Sequence, residues 1–90
     1  MNVTLKEWNA LLAKAQSLCD ELKERGVNVK FKPYTMYDGR KGIAFLVCDE
    51  TGAVFMDYYS GAGSANSIRT NMNVNALRIM KDCGVAVGEG

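Results

Sequence analysis

The chain has 90 residues, 48% of them apolar, with one proline and a formal charge of +1, which suits one domain spanning residues 1–90. A domain of this size buries somewhat over ~60% of its unfolded surface, enough for a core without staples. The balanced charge gives no general electrostatic capture of nucleic acid or of an anionic membrane, and no apolar run approaches the ~18 residues of a membrane-spanning helix.

The first element is an amphipathic helix from about Leu5 to Arg25. Thr4-Leu5-Lys6-Glu7 spells a capping box, in which the Thr4 hydroxyl accepts from the Glu7 N–H and the Glu7 carboxylate reaches back. Val3 and Trp8 occupy the hydrophobic-staple positions. Leu5, Trp8, Leu11, Leu12, Ala15, Leu18, Cys19 and Leu22 recur at helical spacing, and Gly26 follows as the stop. A capped helix at this position reads as part of the fold rather than as a signal peptide.

Three strands follow. Val27, Val29 and Phe31 alternate with Asn28, Lys30 and Lys32, and Pro33 near the strand's end marks an edge or a bulge. Asp38-Gly39 reads as a two-residue hairpin turn. The second strand, about Lys41 to Asp49, is apolar on both faces, and Glu50-Thr51-Gly52 suits a turn with a glycine bulge leading into a strand from Ala53 to Tyr59. These turns set a register. With Asp38-Gly39 as the loop, Tyr37 faces Arg40, Phe31 faces Leu46 and Val29 faces Cys48; with Glu50 to Gly52 as the second loop, Leu46 faces Met56 and Cys48 faces Val54. One face then carries Val27, Val29, Phe31, Ala44, Leu46, Cys48, Val54, Met56 and Tyr58. The other carries Lys30, Lys32, Tyr34, Ile43, Phe45, Val47, Phe55, Asp57 and Tyr59.

Ser60 to Ser67 reads as a glycine- and serine-rich loop, with Ser64, Asn66 or Ser67 as the cap of a second helix. That helix carries Ile68, Met72, Ala76, Ile79, Met80 and Cys83 at helical spacing, and Gly84 stops it. Val85-Ala86-Val87 reads as a short strand or a frayed end. The fold expected is an α+β domain of order α-β-β-β-α, with a three-stranded antiparallel meander and two helices.

Chemistry is sparse. The chain has no histidine, so the commonest general base and the commonest zinc ligand are missing. Cys19, Cys48 and Cys83 are odd in number, far apart and on apolar faces, and read as reduced core thiols of a cytoplasmic protein. Asp38, Asp49, Glu50 and Asp57 are scattered and mostly in turns. The reading is of no enzyme, with no catalytic, cofactor or metal site. Gly61-Ala62-Gly63-Ser64 lacks the Gly-Lys-Ser/Thr ending of a phosphate-binding loop and reads as a connection.

Two surfaces stand out instead. Tyr34, Phe45, Phe55 and Tyr59 beside Lys30 and Lys32 form a candidate partner-binding sheet face. Asn71, Asn75, Arg78 and Asp82 fall on one exposed helical stripe, a candidate polar recognition surface or an ordinary solvated face. The leading expectation is a small non-catalytic protein-binding module, an inhibitor or adaptor that also self-associates as a homodimer through the aromatic face. The alternative is a nucleic-acid binder that stacks bases on the same face. A third arrangement has the second helix or the tail covering it.

The order helix, three antiparallel strands, helix resembles the double-stranded RNA-binding domain over most of the chain. That family places a lysine-rich motif at the start of its second helix. The matching stretch here, Ser64-Ala65-Asn66-Ser67-Ile68-Arg69, has one basic residue, so the resemblance covers topology and does not extend to RNA contacts. In size and in lack of catalytic motifs the chain also resembles small phage-encoded inhibitors such as anti-CRISPR proteins.

Overall fold

A computed structural model describes residues 3–85. The elements are α1 (Leu5–Glu24), β1 (Val29–Thr35), β2 (Lys41–Cys48), β3 (Val54–Tyr59) and α2 (Ala65–Asp82), in the order α-β-β-β-α. Ala86 and Val87 of the expected tail lie outside the described residues. No helix among the described residues is long and apolar enough to cross a membrane.

The capping box forms as its residues dictate. The Thr4 N–H donates to Glu7 Oε1 at 2.9 Å and the Glu7 N–H donates to Thr4 Oγ1 at 3.1 Å. Two orphan donors of the first turn are thereby satisfied. Leu11, Ala15, Cys19 and Leu22 are buried, with Trp8, Leu12 and Leu18 partly so, while Leu5 at the helix start is solvent-exposed. Of the three candidate caps for α2 the structure uses Ser64, whose hydroxyl accepts from the Ser67 N–H at 3.2 Å.

The sheet is an antiparallel meander in the order β1-β2-β3. Its register differs from the one the two-residue turn implied. Met36 N–H donates to the Arg40 carbonyl at 2.7 Å and Gly39 N–H donates to the Met36 carbonyl at 2.8 Å, so the loop holds three residues, Tyr37-Asp38-Gly39. Gly39 sits at φ +91°, in the left-handed region that such a loop requires at its last position. Asp38 braces the loop by accepting from the Arg40 N–H at 3.1 Å and pairing with the Arg40 guanidinium at 2.8 Å. Those contacts hold the Asp38 carboxyl below its ordinary range, the Arg40 N–H bond contributing most.

One extra loop residue slides β2 by one position against β1. Val29 now faces Val47, Phe31 faces Phe45 and Pro33 faces Ile43. On the other side, Asp49 faces Ala53 as expected, but a bulge between Val47 and Cys48 sets Val47 opposite Met56 and Phe45 opposite Tyr58. A one-residue slip turns every side chain of a strand over. The central strand is inverted, while β1 and the 56–59 part of β3 keep their expected faces; Val54, beyond the bulge, pairs with Cys48 and leaves the face it was expected to share with Met56. Phe45, Ile43 and Val47, expected on the outer face, are core residues with at most 2% exposure. Ala44, Leu46 and Cys48 take the outer face in their place.

Both helices pack on the face that carries Ile43, Phe45 and Val47. Ile68, Met72, Ala76 and Ile79 of α2 complete a core with Leu11, Ala15, Cys19, Leu22 and Val29. The result is two layers, helices on sheet, with both helices on the same side of the sheet.

All three cysteines are free thiols, but only Cys19 and Cys48 are buried; Cys83, at the C-cap of α2, is half-buried. Burial pushes the Cys19 thiol up to about 11, outweighing the nearby Lys23. Thiolate is the reactive form, so alkylation of the native protein is expected to proceed in the order Cys83, then Cys48, then Cys19. Site-resolved mass spectrometry of a labelling time course at pH 8 checks this order. The raised Cys19 value also has a stability sign. Its contribution is fully present below the unfolded thiol value of about 8.5 and fades as pH climbs toward the folded one.

Candidate partner-binding face

The uncovered side of the sheet is built by alternation. β1 sends Lys30, Lys32 and Tyr34 outward, β2 sends Gly42, Ala44 and Leu46, and β3 sends Asp57 and Tyr59, because directly opposed residues share a face. Lys30, Lys32, Phe55 and Tyr59 are exposed, with Phe55 and Tyr59 each at 58%. Val54 and Phe55, at the bulge, are both largely in solvent.

Tyr34 and Tyr59 meet over β2 with ring centroids 5.5 Å apart and planes inclined at 71°. The edge-to-face geometry suits the ring quadrupoles. Below them Gly42, directly opposite Tyr34, leaves the room that the Tyr34 ring fills. Lys32, Tyr34, Ala44, Leu46 and Tyr59 line a shallow hollow of about 180 Å³, with an apolar floor, two aromatic walls and one ammonium at its edge. The Tyr59 hydroxyl lies 3.4 Å from Asp57 Oδ2. A larger groove of about 240 Å³ lies between α1 and α2, lined by Leu18, Leu22, Ala76, Leu77 and Met80 with Glu21, Arg25 and Asn73 at its polar rim.

The structure thus brings together Lys30, Lys32, Tyr34 and Tyr59, with Phe55 at the end of the same face. It removes Phe45, which is fully buried among the helices. It also divides the asparagine stripe. Asn75 is not exposed: it is 4% accessible, and its Nδ2 has no hydrogen-bond partner among the described residues. Asn71 is half-buried and donates from Nδ2 to the Ser60 carbonyl at 2.7 Å. Asp82 accepts from the Tyr58 hydroxyl at 2.7 Å, and burial, followed by this carboxylate, raises the Tyr58 value to about 12. Only Arg78 and Asp82 of the stripe remain exposed. The physical reason is that this side of α2 lies against the end of β3, so much of the stripe clasps the sheet.

Ser60, Gly42, Ala44 and Leu46 are the residues that sequence reasoning missed. Ser60 is 2% exposed and ties three elements: its N–H donates to the Ile43 carbonyl, its Oγ accepts from the Ile43 N–H, and its carbonyl receives Asn71. A glycine inside a strand signals close approach by another group, and Gly42 carried that signal.

No cluster of three or more metal-ligating side chains occurs among the described residues. The hydroxyl of Ser64 occupies the start of α2, where a phosphate-binding loop would present free N–H groups. Compared with family models, with curated proteins and with solved structures, the chain matches none.

Proposed function

We propose that the protein is a non-catalytic binding module that engages a protein partner through the open face of its sheet. The observation that carries this reading is the packing of both helices on one side, which leaves Tyr34, Tyr59, Phe55 and Leu46 accessible in one patch. Aromatic residues ringed by a few charges are the composition of a protein-contact surface, and patches of this kind are uncommon on chains without partners. Binding of this sort acts by occupying the partner, as a cytoplasmic inhibitor or adaptor does.

The nucleic-acid alternative is weakened by the same geometry. Successive bases stack on rings that lie parallel, whereas Tyr34 and Tyr59 are inclined at 71°. Of the four rings expected there, Phe45 is in the core. Lys30 and Lys32 share the face with Asp57, so few phosphates are neutralised.

The test is capture from source-cell lysate with and without nuclease, using wild type and Tyr59→Glu. The expected result is a nuclease-resistant protein partner that Tyr59→Glu loses by about tenfold or more, the effect of removing an aromatic anchor. Tyr59→Glu is expected to keep its melting temperature, since the ring is mostly exposed. Capture that nuclease abolishes, and that falls steeply with salt, assigns the face to nucleic acid instead.

A further inference from the structure

We propose, on the reading of the open face as a protein-binding surface, that it takes an acidic protein segment: one apolar side chain of the partner fills the hollow beside Tyr34 and Tyr59, and a neighbouring carboxylate sits over Lys30 and Lys32.

The hollow is built by side-chain size. Along β2 the outward residues begin with Gly42 and Ala44, while the edge strands raise Lys32 and Tyr34 on one side and Tyr59 on the other. Small residues at the centre and long ones at both rims make the middle of the sheet its lowest line. Gly42 cannot be enlarged without conflict, because a Cβ there would come within 2.5 Å of the Tyr34 ring. The two tyrosines meet with centroids 5.5 Å apart and close that end. Toward the other end, half-buried Leu46 and then Val54, 46% exposed and paired with Cys48, continue the apolar line. The volume of about 180 Å³ lies under the ~300 Å³ at which small-molecule and cofactor sites begin, and suits a single leucine, methionine or phenylalanine side chain.

The charges around the hollow give the partner its sign. Residues 30, 32 and 34 of β1 share one side of the sheet, so both lysines rise over the face that carries Tyr34. Both are exposed, and neither takes part in an ion pair among the described residues. Arg40, further along the hairpin, is already held by Asp38 at 2.8 Å. Lys30, Leu46 and Asp57 form one cross-strand row, with the cation at one rim, the carboxylate at the other and leucine between them. The face is therefore polarised across its strands. A partner carboxylate is attracted over β1 and repelled over β3, which fixes the orientation in which the apolar side chain enters. An apolar anchor in a socket with charges at its rim is also the arrangement in which a few residues carry most of an interface's energy.

The test is selection of random peptides displayed on phage against the full chain, followed by fluorescence polarisation of the enriched peptides. These are expected to carry Asp or Glu close in sequence to Leu, Met or Phe, and to lose binding to Tyr59→Glu. Lys30→Glu combined with Lys32→Glu is expected to weaken them about tenfold, the sum of several rim-charge contributions, with the melting temperature unchanged. Asp57→Lys is expected to act in the opposite direction and tighten them about threefold. Peptides that Tyr59→Glu loses but that carry no acidic bias, or that tolerate the two lysine reversals, overturn the inference and leave the face a protein-binding surface. Peptides indifferent to Tyr59→Glu overturn that reading of the face and the inference with it. A selection that enriches nothing overturns the inference alone, because capture of a folded partner tests the face separately. Oligothymidylate binding that depends on Lys30 and Lys32, with no acidic peptide competing for it, overturns the proposal in favour of phosphate.

Discussion

Phe45→Glu is expected to yield a chain that does not fold. Phe45 is 0% exposed, at the centre of β2, facing Phe31 on one side and Tyr58 on the other, beneath both helices. Truncating a buried phenylalanine costs about 3–5 kcal/mol by itself. A carboxylate left in that site has no cation to pair with, which adds several kcal/mol more or forces the group to protonate. A domain of this size commands only about 5–13 kcal/mol in total. Circular dichroism should therefore show little helix and no cooperative thermal transition. Phe45→Leu, which keeps the site apolar, is expected to fold at a cost of about 1–2 kcal/mol. Tyr59→Glu places the same charge on the opposite face and is expected to melt within about 0.5 kcal/mol of wild type. A cooperative fold for Phe45→Glu, coupled to loss of partner binding, would put β2 the other way up.

That experiment bears on the first of two places where the sequence misleads. Element order, the capped first helix, the second hairpin loop and the faces of β1 and of β3 from Met56 onward follow from local signals: a capping box, Gly52 at the end of a three-residue loop, and alternation about Val29, Phe31, Met56 and Tyr58. The orientation of β2 does not follow, because this strand is apolar on both faces and its register rests on loop length. Asp38-Gly39 is compatible with a two-residue loop and equally with the last two positions of a three-residue loop, and the two differ by one residue. Side-chain volume carries the missing information. Ile43, Phe45 and Val47 are bulkier than Ala44, Leu46 and Cys48, and two helices need the bulkier set to fill the core. The asparagine stripe misleads for a different reason. Helical periodicity places Asn71, Asn75, Arg78 and Asp82 on one side correctly, but whether that side meets solvent depends on where α2 rests along the sheet edge. Ser60 and Tyr58 decide that, and no local pattern marks them. Asn75 is the residue this leaves costly: a buried amide donor without an acceptor is destabilising by about 1–3 kcal/mol.

Gly42→Val is expected to be strongly destabilising although it adds no charge and lies on the open face. Gly42 lies on the open face, where a larger residue would ordinarily be tolerated. Here a Cβ would come within 2.5 Å of the Tyr34 ring and 2.6 Å of the Gly61 carbonyl oxygen. The Tyr34 ring can swing away, since it is only half-buried. The Gly61 carbonyl cannot move alone. It accepts from Ser60 Oγ, and Ser60 in turn holds Ile43 and Asn71, so shifting it loosens the junction of β2, β3 and α2. Overpacking against backbone typically costs about 1–3 kcal/mol, and valine's second branch should bring Gly42→Val to the upper end. For a domain of this length each 1 kcal/mol lowers the melting temperature by about 4–8 °C. A double-mutant cycle separates the two obstacles. If Tyr34 alone were in the way, Gly42→Ala in a Tyr34→Ala background would cost almost nothing. The Gly61 contact predicts partial rescue, with about half the penalty or more remaining. Full rescue would mean that the glycine serves the aromatic hollow alone. A persistent penalty means that one position both seats the Tyr34 wall of the binding face and closes the sheet against the loop that leads into α2.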